Sequence, residues 1–258
     1  MSKEFEFRAE RTNCNQDEKP SKALNIFDNF LWAEDENTKR TLRQFGNDFE
    51  LYKRSLNLLC KTTHHLCELT EKDPSKIPRA KKLILMIISR IIQSMQSIAI
   101  LNLKGYYYDV KVLERCLIES MGLCAYFALN EKETMNWING KKDKIAKIKL
   151  IDYIPLLLDL KERRGASFYG KLSGYVHANA RAVASIIVDV DHEGISFPLT
   201  PIYDREKVSE ISFNPTLMMI ILEKIFRDEL TEERKAEIMR FIRQYKAEKL
   251  KKMRKECS

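Results

Sequence analysis

RAKKLILMIISRIIQSMQSIAILNLKG, residues 79–105, decides the fold. Its core, Leu83 to Leu103, is the most apolar run of the chain and long enough to invite a membrane reading. Arg90, Gln93, Gln96 and Asn102 interrupt it, and each would need a polar partner in hydrocarbon. The run therefore reads as the buried core helix of a helical bundle, and no membrane association is expected. Pro78 precedes the segment and Gly105 closes it, the order of signals that bounds a helix.

Working outward, the neighbours repeat the pattern. From Thr38 to about Lys72, the residues Leu42, Phe45, Phe49, Tyr52, Leu56, Leu59, Leu66 and Leu69 recur mostly at three and four, with Thr63 filling the gap. That spacing predicts a long amphipathic helix. A shorter helix is expected before it, over Lys22–Ala33. Pro74 and Pro78 bracket a turn. After Gly105, Asp109 is the expected N-cap of a helix running to about Leu129. Three long helices with short connections predict an antiparallel bundle.

Beyond Asn130 the elements shorten. A turn or two of helix is expected over Glu131–Ile138, with Asn139-Gly140 breaking it. A helix from Asp143 to about Arg163 should be kinked or divided at Pro155, and another should cover Ser167–Ile187 despite Gly170 and Gly174. Between 185 and 200, two apolar runs flank Asp191-His192-Glu193-Gly194, so the sequence allows a small β-hairpin insertion or an extended loop. Asn214-Pro215 opens a helix to about Leu230, and Thr231 can cap the last one.

With 8 Gly and 7 Pro in 258 residues, the chain lacks the punctuation of an all-β sandwich. The expected fold class is all-α: a polar arm over residues 1–22, then a single helical domain over 23–258 ending in a basic helix. The net charge is +8, and from Arg240 to Lys255 eight basic residues face only Glu248. Such a block can contact phosphates or simply lie solvated on a terminal helix docked by Ile238, Phe241, Ile242, Tyr245 and Leu250. The six cysteines show no short paired spacing and the first residues no apolar signal core, which points to reduced thiols and a cytoplasmic address.

Chemistry concentrates in two segments. In the first, Phe168 to Arg181, a helical spacing sets Ser173, His177 and Arg181 on one face with Tyr169 beneath. A histidine flanked by a cation can stay neutral and act as a general base, or it can hold helices together by hydrogen bonds. In the second, Leu113-Glu114-Arg115-Cys116-Leu117-Ile118-Glu119, Arg115 and Glu119 share a face and can point into the bundle. They can pair with each other, or Glu119 can orient His177. Cys60, His64 and Cys67 lie at helical spacing, but one helix does not readily close a tetrahedral zinc site. Neither metal nor other cofactor is expected. No Gly-rich phosphate loop, Gly-x-Ser-x-Gly elbow or His-Glu-x-x-His occurs.

Together, the Arg-x-x-x-Glu helix at Arg115–Glu119 and the Leu-Ser-x-x-Val-His stretch ending at His177 resemble a group of uncharacterised prokaryotic helical proteins. That group is similar to the HEPN superfamily, helical bundles found in toxins and antiviral systems, many of them metal-independent ribonucleases. The resemblance covers roughly residues 80–190. It implies an HEPN-like bundle, RNA as substrate or partner, a homodimer, and a site built from His177, Ser173, Lys171, Arg181, Glu119 and Arg115. Catalytic members carry an arginine four to six residues before the histidine's position, counting those between. Here those places hold Gly170, Lys171 and Leu172, so Lys171 or Arg181 would have to supply the cation. The competing class is a non-catalytic helical interaction protein.

Overall fold

The computed structural model describes residues 26–141, 150–158, 189–191, 194–196 and 215–256. The expected arm over 1–22 and the expected helix over Ser167–Ile187 lie outside the described residues. The described architecture is all-α. Its helices are α1 (Ile26–Lys72), α2 (Arg79–Lys104), α3 (Tyr107–Leu129), α4 (Glu131–Ile138), α5 (Tyr153–Leu157, after a 3-10 turn over Leu150–Asp152), α6 (Pro215–Ile225) and α7 (Glu232–Glu256). Strands β1 (Asp189–Asp191) and β2 (Gly194–Ser196) pair antiparallel, with Val190 opposite Ile195.

α2 is the central element, packed against both α1 and α3. Its apolar period buries Ile84, Leu85, Ile88, Ile91, Ile92, Met95 and Ile98, while Arg90, Gln93 and Gln96 stay on the exposed side. By length and composition alone it could cross a membrane. Here that inner face meets protein. Gly105 ends α2 in the left-handed region (φ 92), and its N–H returns to the Asn102 carbonyl. α1 runs antiparallel to α2: Asn37 Nδ2 donates to the Lys104 carbonyl at 3.1 Å, and Tyr52 Oη to the Met95 carbonyl at 2.8 Å. α6 packs on α1, and α7 closes the group through buried Ile238 and Ile242.

Several local expectations need correction. α1 does not stop near Ala33 and restart at Thr38 but continues through, bending only at Phe45 (φ −121, ψ 15). Residues 34–37 contain neither proline nor glycine. Lys39 pairs with both Asp35 and Glu36, and the Thr38 hydroxyl donates to the Glu34 carbonyl, so the helix has no reason to break there. Before the bend the buried positions are Asn37 and Thr41, and after it they include Leu51, Tyr52, Ser55, Leu59 and Leu66. At about 100° per residue Asn37, Thr41, Tyr52, Leu59 and Leu66 share one face, and Leu42, one step round from Thr41, is left 45% exposed. Asp109 is not the N-cap of α3, which begins at Tyr107; its carboxylate lies in the first turn, where the helix dipole favours it. Of the helix expected over 143–163, the described part is the 3-10 turn and α5, in which Pro155 stands third, within the first turn, where its missing N–H is not needed. α6 ends at Ile225, and a turn over Phe226–Leu230 leads to Thr231, whose Oγ1 accepts from the Arg234 N–H.

Two contacts in this frame make predictions. A Cβ on Gly122 would come within 2.5 Å of the Leu150 carbonyl oxygen, so glycine is what lets the 3-10 turn lie against α3. Gly122→Ala is expected to lower stability by about 1–3 kcal/mol in a denaturant titration, the range for forcing bulk into packed backbone. At the α1–α2 corner, Lys104 Nζ meets Glu34 Oε2 at 2.6 Å and the Tyr106 hydroxyl donates to the same carboxylate. Burial pushes the Glu34 carboxyl up, but the hydrogen bonds from Lys104 and Tyr106 and the Lys104 charge outweigh it and hold it below its ordinary value. A lowered native pKa stabilises above the unfolded value, and the gain is lost as pH falls through the native one. The melting-temperature gap between wild type and Glu34→Gln should therefore be open at neutral pH and close on acidification below about pH 4, the unfolded carboxylate range.

Candidate functional site

The described part of the site is built on α3. This helix buries Val110, Leu117, Ile118, Met121, Cys124 and Phe127, and within that apolar stripe stand Glu114, fully buried, and Lys111, 8% exposed. Lys111 Nζ reaches Glu114 Oε2 at 3.2 Å. One position round the helix, Arg115 Nε donates to Glu119 Oε1 at 3.1 Å. The Arg115 side chain is 16% exposed and that of Glu119 40%, so this second pair sits at the rim. The expectation that both point into the bundle is corrected. A helix turns about 100° per residue, so Glu114, in phase with Val110, Leu117 and Met121, takes the inward position and Arg115 is carried to the edge.

The buried pair has a third neighbour. Tyr52 of α1 is buried, and its hydroxyl pKa is driven upward first by burial and then by the charge of Glu114. Its proton goes to the Met95 carbonyl. α1, α2 and α3 thus meet around a polar cluster inside the core, and a rim ion pair flanks it. Glu114 and Lys111 were not singled out from the sequence. The signal was present: Glu114 falls on the stripe Val110, Leu117, Met121, where a charge is unexpected.

Of the six residues proposed from the sequence, Arg115 and Glu119 are brought together, paired with each other. Lys171, Ser173, His177 and Arg181 lie outside the described residues. The helical cysteine–histidine trio is dispersed in character: His64 is exposed and pairs with Glu68, while Cys60 and Cys67 are half-buried. Burial pushes the thiols of Cys60, Cys67 and fully buried Cys124 upward, away from thiolate, as suits small core residues. Among the described residues, no group of three or more histidine, cysteine, aspartate or glutamate side chains is placed to hold a metal ion. No protein-family model matches the chain, and neither a curated protein nor a solved structure does.

Proposed function

We propose that this is an HEPN-like, metal-independent endoribonuclease, acting as a cytoplasmic homodimer in a defence or toxin role. The observation that carries the reading is the charge cluster of α3. A buried ion pair is a poor stabiliser, because desolvating two charges costs about as much as their attraction returns, and apolar residues of the same volume would serve a bundle as well. Lys111 and Glu114 inside the core, with Arg115 and Glu119 beside them, are better explained by a site than by packing. These residues occupy the same stretch of α3 as the Arg-x-x-x-Glu motif.

In the proposed reaction His177 takes the proton of a ribose 2′-hydroxyl, whose oxygen attacks the adjacent phosphorus as the P–O5′ bond breaks; the departing 5′-oxygen takes a proton from water, and the imidazolium returns its own to solvent. Lys171 or Arg181 stabilises the charge developing on the phosphoryl oxygens, and Ser173, four residues before His177 in sequence, hydrogen-bonds the phosphate. Glu119 and Arg115 position these groups. The products are a 2′,3′-cyclic phosphate and a 5′-hydroxyl. The test is incubation with single-stranded RNA in excess chelator, beside the same strand carrying deoxyribose throughout. Cleavage of the RNA alone, leaving cyclic phosphate ends, supports the proposal. No cleavage, or equal cleavage of the deoxyribose strand, overturns it in favour of a non-catalytic helical interaction protein.

A further inference from the structure

The last helix carries a feature that the α3 site does not use. α7 docks through Ile238, Phe241, Ile242 and Tyr245, of which Ile238 and Ile242 are buried and the others half-buried. On its opposite side Arg240, Arg243 and Lys246 are all exposed. At steps of three residues they wind over roughly a third of the helix circumference, about 4.5 Å apart along the axis. From Ile238 to Ala247 the helix has no carboxylate. Of the acids on this helix, Glu232 pairs with Lys235, Glu237 with Arg234 and Glu248 with Arg54 of α1, while Glu233 lies about two turns before Arg240. Among the described residues, Arg240, Arg243 and Lys246 enter no ion pair. The helix continues to Glu256 through Lys249, Lys251, Lys252, Arg254 and Lys255.

A run of exposed cations that the protein leaves uncompensated repels itself and is matched by a polyanion. Two polyanionic surfaces are common, and the apolar residues choose between them. A helix that lies on a membrane presents an apolar face to the acyl chains. Here that face is turned into the protein core, and Met239 is the one exposed large hydrophobic among the described side chains of α7. We propose that the outer face of α7 binds the phosphate backbone of a nucleic acid, without reading its sequence, through Arg240, Arg243 and Lys246. This surface stands whether or not His177 is catalytic, since it adds affinity rather than chemistry.

The experiment is fluorescence anisotropy of the full chain with labelled strands that cannot be cut, one of deoxyribose and one of 2′-O-methyl ribose. Each strand is about 20 nucleotides, longer than the roughly 4–16 that a single-strand site covers. Wild type should bind both and lose about twentyfold or more in affinity between about 50 and 200 mM salt. The triple variant Arg240→Gln, Arg243→Gln, Lys246→Gln should bind at least about tenfold more weakly at the lower salt, with a log–log slope shallower by about 2, since each single-strand phosphate contact contributes about 0.7. A control variant, Lys61→Gln, Lys76→Gln, Lys132→Gln, removes as much charge from exposed positions elsewhere and should keep the wild-type slope. Circular dichroism spectra of both variants should overlay wild type, and the single Arg243→Gln variant should show a partial loss in the same direction. Unchanged affinity in the α7 variant, an equal loss in the control, or binding to phosphatidylserine vesicles but to neither strand would overturn the proposal.

Discussion

Glu114→Ala is expected to cost about 3–5 kcal/mol of stability, the range for removing one partner of a buried ion pair. The carboxylate is fully buried and its partner Lys111 is nearly so, so truncation takes from a buried ammonium the carboxylate it meets at 3.2 Å. For a chain of this size each kcal/mol moves the melting temperature by about 2–4 °C, so the midpoint should fall by roughly 10 °C. The double variant Lys111→Met, Glu114→Leu should recover most of that loss, because apolar groups of similar volume avoid both desolvation penalties. This contrast separates the lost ion pair from the lost volume. A single variant within about 1 kcal/mol of wild type in a urea titration would show that the core does not depend on the pair. The double variant has a second use: if the pair serves the site, it should restore folding without restoring cleavage.

The second large effect concerns the reaction. His177→Ala is expected to lower the rate of RNA cleavage by about 10²–10⁴-fold, the contribution of a positioned general base. The residual rate would come from the cation that still stabilises the phosphoryl oxygens. The histidine must be neutral to accept the 2′-hydroxyl proton, so the wild-type rate should rise with pH through the imidazole pKa, ordinarily about 6.5. The variant should lose that acid limb. Glu119→Gln, at a residue proposed to position rather than react, should shift the limb and reduce the rate less. A histidine that only ties helices together would instead lower the melting temperature and leave the pH profile unchanged.

The readable part of the fold was the part governed by periodicity and punctuation. α2 occupies residues 79–104 as its apolar run and Gly105 predict, and α4 ends before Gly140, which takes a positive φ of 69. The misreadings came from signals that tertiary contacts override. Leu42 continues the three-and-four spacing of the apolar stripe, but that spacing drifts round a helix of about 3.6 residues per turn, and the face that Tyr52, Leu59 and Leu66 bury passes through Thr41 and Asn37 instead. Asp109 resembles a cap, yet the short link after Gly105 starts α3 two residues earlier. At the candidate site, the four-residue spacing of Arg115 and Glu119 was enough to foresee their pairing. It could not rank them against Glu114, because pairing depends on spacing and depth depends on phase relative to the apolar stripe. Tyr52 was beyond reach of the sequence: it joins the cluster only through the antiparallel register of α1 on α2.

The central claim is tested most directly by the single-turnover rate of RNA cleavage in excess chelator for wild type and His177→Ala, with both proteins checked by circular dichroism. A ribonuclease working through His177 should leave 2′,3′-cyclic phosphate ends as wild type, and cleave about 10²–10⁴-fold more slowly in a variant that melts like wild type. Equal rates in the two proteins, or no cleavage by either, would contradict it.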